Sequence, residues 1–325
     1  MGLRGALAVG VAAFAAVGCA QAQADGSMRM TLAGASPGGA WSAIGEAITD
    51  ELRRGIPHGA FTLEPGQDGA NAALVQTGKA ELGLVHASIA LAAISGTTPF
   101  DVPQPDVRAV MLLYADAPFH FVVDTRSGIR SLDEIGPKHV PLRISVNTRG
   151  SLMELATRTT LEAYGLSYQD LRDAGGDVLF YAFNTAYEAM QRGRLDAVSA
   201  TVQVPSNQTL DASRLLDLDI LSLSPEAIAF ANARLGTEST TIPRSAYPFL
   251  THDVHTFAGR VILITSARVP EAQVYEITKV LHARLNDLRR AHGSLKKLTP
   301  ALLPQVGGVP LHPGAARFYR DIGVL

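Results

Sequence analysis

Arg149 is the residue of this chain best placed to hold an anion. It lies just before Ser151–Tyr164, a segment whose apolar spacing predicts a helix. A helix N-terminus presents unpaired N–H groups and about half a positive charge, and a neighbouring guanidinium can bind a carboxylate through two hydrogen bonds. Arg149 therefore predicts an anion clamp at this turn, with a solvated loop arginine as the alternative.

Ser36 lies in a second loop that could do chemistry. Gly34–Gly38 matches the G-x-S-x-G pattern of serine hydrolases, placed between a predicted strand and a predicted helix. The residue after such a nucleophile must donate its backbone N–H to the oxyanion, and Pro37 has none. We interpret Ser36 as a helix-capping residue that also contacts a ligand, and keep an exported serine hydrolase as the rival class.

Four further side chains have both a structural and a functional interpretation. Trp41, the only tryptophan, belongs either to the core or to the apolar wall of a pocket. Asp68 and Asn71 stand at the start of a predicted helix, where capping and ligand contact are both open. His86 ends a predicted strand, as a structural histidine or as a ligand contact.

No metal and no cofactor are predicted. His252 and His255 have the spacing of metal ligands on a helix, but they fall in a predicted loop. Gly78-Lys79 is followed by Ala80 rather than Ser or Thr, so there is no P-loop.

The elements that position these residues occur twice. An apolar strand, a Gly/Ser loop and a helix begin at Met30 and again at Leu142. Gly78 and Gly193 each suit the left-handed residue that ends a helix, and each is followed by a buried strand. The repeat predicts an α/β protein of two lobes with mainly parallel sheets. Its ligand cleft should lie between the lobes, at the carboxyl ends of the strands.

Composition narrows the class of protein. The 325 residues are 47% hydrophobic and 18% charged with a net charge of −2, which gives no basis for binding nucleic acid or an acidic membrane surface. Aromatic residues make up only 6%, which disfavours a platform for stacking bases.

Residues 1–24 are predicted to be a signal peptide, so the mature protein is expected in the periplasm. Arg4 precedes an apolar run, and Ala22–Ala24 offers a small-x-small cleavage site. Cys19, the only cysteine, ends a segment that resembles a lipobox, so a lipid anchor there is the alternative. The mature domain then has neither a disulfide nor a thiol nucleophile.

Several segments resemble, in order, those of the TAXI solute receptors, the exported binding proteins of tripartite ATP-independent periplasmic (TRAP) transporters. They include GASPGGAWSAIGEAI, QTGKAELGLVHAS, RISVNTRGSLMELATRTTLEAYGL and VPLHPGAARFYRDIGVL. The resemblance implies a non-enzymatic periplasmic binding protein of the second structural class. Such a receptor closes on a small carboxylated solute (a dicarboxylate, keto acid or acidic amino acid) and delivers it to the permease subunits in the membrane. A ligand-binding module for a sensor is a further alternative.

The resemblance also maps a ligand region onto the predicted strand ends. Residues 28–124 with 256–325 are expected to form one lobe, and residues 125–255 the other. Trp41, Asp68 and Asn147–Arg149 depart from the family pattern, in which a tyrosine, a small polar residue and a smaller neutral stretch are usual. The candidate ligand-binding residues are Ser36, Gly38, Gly39, Trp41, Asp68, Asn71, His86, Ser88, Asn147, Thr148, Arg149, Gly150, Ser151, Thr201, Gln203 and Val204.

Overall fold

The predicted repeat organises the observed structure. A computed structural model describes residues 28–35 and 39–325. Its strands are β1 (Arg29–Ala33), β2 (Ala60–Glu64), β3 (Leu82–His86), β4 (Val107–Asp124), β5 (Arg143–Ser145), β6 (Asp177–Leu179), β7 (Ala197–Thr201), β8 (Leu218–Ile220), β9 (Glu238–Ile242) and β10 (Val254–Ser266).

Helices follow most of these strands. They are α1 (Ala40–Gly55), α2 (Asp68–Thr77), α3 (Ala87–Ser95), α4 (Leu152–Ala163), α5 (Tyr168–Asp173), α6 (Phe183–Gln191), α7 (Asn207–Ala212), α8 (Pro225–Leu235), α9 (Glu271–Ala283), α10 (Leu285–Ala291) and α11 (Pro313–Asp321). Short 3-10 helices span Thr125–Ser127, Leu132–Glu134, Arg244–Ala246, Gly293–Leu295 and Pro300–Leu302.

Each half of the repeat forms a parallel three-stranded unit with the same strand order. β1 pairs in parallel with β2 and β3, and β5 pairs in parallel with β6 and β7. Gly78 and Gly193 take φ values of 69° and 67°, the left-handed conformation predicted for both helix ends. The buried strands β3 and β7 follow them.

The sheet as a whole is mixed rather than mainly parallel. All of its antiparallel pairings involve β4 or β10, within the part of the chain that the structure describes. These two strands run side by side between the lobes. β4 pairs with β10 in its first half and with β7 and β8 in its second half, so it connects the two lobes.

The apolar cores are also divided between the two halves of the structure. One core joins β1, β3, α1 and the C-terminal helices to the first half of β4 and the second half of β10; we call this half lobe 1. Two further cores lie around β5, β7 and α8 and include the other ends of β4 and β10; this half is lobe 2.

Several details of the element predictions are wrong. The apolar runs over 107–114 and 119–124 predict two strands, but they form one continuous strand, β4, which crosses between the lobes without a break. The segment 271–292 predicts one long helix, but the helix is interrupted at Arg284. Helix α3 was not predicted; it follows β3 directly and ends at Gly96, which has a φ of 65°.

The lobes touch beside the cleft through α2, α3 and α4. Ile89 of lobe 1 packs with Leu152 and Leu155 of lobe 2 in a small apolar cluster. A Cβ added at Gly69 would stand 2.9 Å from the carbonyl oxygen of Gly150. Only a residue without a side chain allows this approach of the two backbones.

Some predictions fall outside the described residues. These are the signal peptide over residues 1–24 with Cys19, and the two candidate site residues Ser36 and Gly38. Across 28–35 and 39–325, no helix combines the length and apolar character needed to span a bilayer.

Candidate functional site

A cavity of about 250 Å³ lies between the lobes, at the carboxyl ends of the strands. Its position follows from the topology, because the parallel strands of both lobes end at this face. An open groove of about 620 Å³ adjoins it, and the two share Gly39, Ala40, Asn184, Gln203 and Gln208. The described residues that line the cavity are Ala35, Gly39, Ala40, Trp41, Gly66, Gln67, Asp68, His86, Tyr114, Asn147, Thr148, Ser151, Met153, Ala182, Phe183, Asn184, Thr201, Val202, Gln203 and Gln208.

Asp68 and His86 form a buried pair in the wall of this cavity. Their side chains are 5% and 3% exposed, and Oδ2 of Asp68 lies 2.7 Å from Nδ1 of His86. Oδ1 of Asp68 accepts the backbone N–H of His86 over 2.9 Å. Two bonds to one carboxylate fix both the backbone and the ring of the histidine.

The same carboxylate also reaches the other lobe. Oδ2 of Asp68 accepts the backbone N–H of Leu152, the first residue of α4, over 3.0 Å. Asp68 therefore already bonds the N-terminus of α4, where the sequence predicts that a ligand anion binds. It is also the only acidic side chain among the described residues that line the cavity.

Two cavity-lining residues carry buried polar atoms without a hydrogen-bond partner in the described structure. They are Nε2 of His86 and Oγ1 of Thr201. A buried polar atom without a partner costs roughly 1–3 kcal/mol. Such atoms are uncommon in folded proteins, and both stand where the lobes enclose a cavity.

Two helix N-termini approach the cavity from opposite lobes. Gly39–Trp41 begins α1 in lobe 1, and Ala182–Asn184 begins α6 in lobe 2. Neither helix has an acidic residue in its first turn or a side-chain cap in the described structure. A helix N-terminus attracts an anion, so both dipoles favour a negative charge in the cavity. The described lining residues include no lysine or arginine.

Trp41 forms part of the cavity wall. Its Nε1 donates a hydrogen bond to the hydroxyl of Tyr114 over 2.8 Å, and its ring centroid lies 5.1 Å from that of His86. Burial raises the pKa of the Tyr114 hydroxyl well above its usual range, so the group stays protonated. The aromatic side of the cavity is thus held in a fixed orientation.

The structure brings many of the sequence-predicted site residues together. The cavity-lining members of the predicted set are Gly39, Trp41, Asp68, His86, Asn147, Thr148, Ser151, Thr201 and Gln203. Two of them also shape the turn before α4. Asn147 takes a left-handed φ of 69°. Ser151 caps α4 by accepting the N–H of Glu154 over 3.3 Å.

Asn71 is placed elsewhere for a clear physical reason. Its Nδ2 donates to the carbonyl oxygens of Gly34 and Leu84, and its Oδ1 accepts the N–H of Gln67. All of these bonds tie together the loops that carry the site. Asn71 is therefore a positioning residue beneath the cavity.

Arg149 also lies outside the cavity lining. Its side chain is exposed and its guanidinium carbon stacks 3.6 Å from the ring centroid of Phe180. The predicted clamp is absent from this arrangement, because the N-terminus of α4 is already bonded to Asp68. Ser88, Gly150 and Val204 do not line the cavity either.

Sequence reasoning missed several lining residues. The apolar run over 178–183 predicts a strand that ends at Phe183, whereas β6 ends at Leu179, so the helix start at Phe183 and Asn184 was not expected at the cavity. A correct strand end would have placed these residues at the same face as the others. Tyr114 lies within β4, and no local signal in the sequence marks it.

The fold and the site define a class of protein. The chain has the two-lobed fold of periplasmic binding proteins, as three solved structures show. MatC from Rhodopseudomonas palustris with bound malate is 14% identical, with a TM-score of 0.56 over 91% of this chain and 98% of that one. PhnD1 from Prochlorococcus marinus in complex with methylphosphonate is 11% identical, with a TM-score of 0.56 over 92% and 99%.

The third, a TctC solute-binding protein from Polaromonas, is 14% identical, with a TM-score of 0.50 over 93% of this chain and 100% of that one. A family model matches residues 32–323, so the chain belongs to the NMT1-like family. The expectation of a solute-binding fold is confirmed. The assignment to the TAXI receptors stays a prediction.

Proposed function

We propose that this protein is an exported receptor, not an enzyme, that binds a small carboxylated solute between its lobes. The solute class is a dicarboxylate, keto acid or acidic amino acid. We further propose that the receptor delivers this solute to the membrane permease of a TRAP-type transporter.

The observation that carries the proposal is the pair of helix N-termini at the cavity, neither of which has a side-chain cap among the residues that the structure describes. α1 and α6 come from different lobes, and both begin at the cavity without an acidic residue in the first turn. An anion between them interacts favourably with both dipoles, which favours the closed arrangement of the lobes. A dicarboxylate can place one carboxylate at each helix. The malate bound to MatC is an anion of this kind.

A thermal-shift screen tests the solute class. The panel contains succinate, malate, oxaloacetate, aspartate and glutamate, with methylphosphonate as an anion that lacks a carboxylate. A ligand at 100 times its Kd adds about 2.7 kcal/mol to the free energy of unfolding. Trp41 is the only tryptophan and lines the cavity, so its emission should follow the same titration. Binding of methylphosphonate alone would reject the carboxylate class.

Export and delivery need separate tests. Intact-mass analysis from the native host should give a mature chain beginning near Asp25, or a lipid adduct on Cys19. Solute uptake by proteoliposomes that contain a TRAP permease should require this receptor. Uptake that is independent of the receptor would reject the transport role and leave the binding role standing.

A further inference from the structure

The bond between Asp68 and His86 determines what His86 can offer to a ligand. An ionised carboxylate only accepts hydrogen bonds, so the ring proton of His86 resides on Nδ1, 2.7 Å from Oδ2 of Asp68. In the neutral imidazole the other nitrogen, Nε2, then presents a lone pair. That nitrogen is buried and has no partner among the described residues.

Helix N-termini surround the pair of Asp68 and His86. His86 is the N-cap of α3, and its partner Asp68 begins α2 and binds the first N–H of α4. Three helix N-termini thus meet at this pair. The carboxylate of Asp68 accepts the backbone N–H groups of His86 and Leu152, and is thereby held as the acceptor for Nδ1 of the ring.

We propose that the solute carries a hydroxyl or amino group close to its carboxylate, and that this group donates a hydrogen bond to Nε2 of His86. Asp68 is then the positioning residue that sets the histidine tautomer, and His86 is the residue that determines specificity. The inference rests on the proposed function, since it selects among carboxylated solutes. It favours hydroxy acids and amino acids over plain or keto acids.

A buried acceptor discriminates strongly between such solutes. A solute without the donor leaves Nε2 unpaired, and a keto oxygen would place a second lone pair against it. Sites built to bond a substrate hydroxyl or amine reject the analogue that lacks it far more strongly than apolar pockets reject a missing methylene. We therefore expect a difference in affinity of at least about tenfold.

Calorimetry on matched solutes tests the proposal. Malate and aspartate each differ from succinate by one donor group, and oxaloacetate carries a carbonyl at the same position. The wild-type protein should bind malate or aspartate at least about tenfold more tightly than succinate and oxaloacetate. Equal affinities in the wild-type protein would overturn the proposal.

His86→Asn supplies a variant that removes only the discriminating atom. The asparagine amide nitrogen can stand in for Nδ1 and keep the bond to Asp68, but nothing replaces Nε2. In this variant the ratio of the affinity for malate or aspartate to the affinity for succinate should fall to about one to two, even if both affinities change. His255→Asn changes an exposed histidine outside the cavity and should leave the preference intact. A preference that survives in His86→Asn would also overturn the proposal.

Nitrogen NMR of the wild-type protein gives a second measurement that needs no variant. Nε2 of His86 should show the shift of an unprotonated ring nitrogen and should move towards the hydrogen-bonded value when malate or aspartate is added. A protonated Nε2 in the complex would contradict the assigned role. If carboxylates bind without this selectivity, only the inference fails. If no carboxylate binds, the proposed function fails with it.

Discussion

The carboxylate of Asp68 and the backbone N–H of Leu152 are 3.0 Å apart, although the two residues are separated by 84 positions and belong to different lobes. This bond satisfies the first N–H of α4 with a side chain of lobe 1. It lies beside the close approach of Gly69 to Gly150 and the apolar contact of Ile89 with Leu152. Together these contacts join the two lobes on one side of the cavity.

Gly69→Ala should prevent closure of the lobes while leaving them folded. The new Cβ would stand 2.9 Å from the carbonyl oxygen of Gly150, closer than such atoms approach, whereas alanine favours helix α2 itself by up to about 1 kcal/mol. We expect a larger radius of gyration in solution scattering and at least about tenfold weaker solute binding, a loss of ~1.4 kcal/mol.

Gly293→Ala is the matched control, because its Cβ meets no atom within 4 Å. Its scattering and binding should match those of the parent. A Gly69→Ala protein that scatters and binds like the parent would show that this approach does not limit closure.

Asn184→Asp should weaken anion binding without unfolding the protein. The change places a negative charge in the first turn of α6, where it stabilises the helix by roughly 0.3–1 kcal/mol. The same charge repels an anion in the cavity, so the affinity should fall about tenfold, or ~1.4 kcal/mol.

Asn207→Asp makes the same change at the start of α7. Asn207 lines the open groove that adjoins the cavity, but it does not line the cavity itself. Calorimetry should show a much smaller effect for this variant. Equal losses in both variants would point to the overall charge of the cleft rather than to the terminus of α6.

Arg149→Ala should change the affinity for the solute by no more than about threefold, or ~0.7 kcal/mol. The side chain stacks on Phe180 and does not line the cavity, so its loss should cost only the ring contact, worth about 0.5–1 kcal/mol of stability at an exposed site. Titration of both proteins decides this. A loss of tenfold or more would restore the clamp predicted from the sequence and would require Arg149 to move on binding.

These positions show what the sequence can and cannot predict. The repeat fixes the strand order within each lobe, because buried strands and helix-ending glycines such as Gly78 and Gly193 are local signals. Those signals are sufficient to bring Trp41, His86 and Thr201 to one face of the sheet. The outline of the cavity is therefore readable from the sequence.

The partners of the site residues are not readable in the same way. A carboxylate at the start of α2 could cap its own helix, and nothing local indicates that Asp68 bonds Leu152 instead. Likewise, Arg149 has the right type and position for an anion, and only the tertiary structure reveals Phe180 beneath it. Contacts between distant segments decide which of several reasonable roles a polar residue takes.

His120 should make the protein less stable as the pH falls. Burial lowers the pKa of this histidine to about 4, opposed in part by its bond to the carbonyl of Pro118. The unfolded chain takes up the proton near pH 6.5 and the folded protein only near pH 4. Stability is therefore full above about pH 6.5 and is lost as the pH falls towards 4, by about 3 kcal/mol at most.

Urea unfolding of the parent and His120→Gln at pH 7.5 and pH 4.5 isolates this effect. The variant should be the less stable protein at pH 7.5, because it loses the ring contact with Tyr247, and the gap should narrow at pH 4.5. Burial also lowers the pKa of His282, His292 and His312, but these groups are common to both proteins. If the difference in stability between the parent and His120→Gln is the same at both pH values, the pH dependence comes from these other histidines.

Thr201→Val should weaken solute binding and stabilise the free protein at the same time. The hydroxyl of Thr201 is buried in the cavity wall without a partner in the described structure, so its removal relieves roughly 1–3 kcal/mol. A solute that bonds this hydroxyl would lose roughly three- to tenfold in affinity.

Thr160→Val removes another buried hydroxyl without a described partner, in α4 and outside the cavity lining, and should raise stability without affecting binding. Thr157→Val should instead destabilise, because that hydroxyl bonds Ser199 and the carbonyl of Met153. Calorimetry gives the affinity for the solute and urea unfolding gives the stability of each of the three variants. If binding by Thr201→Val is unchanged, the hydroxyl of Thr201 is buried but does not bond the solute.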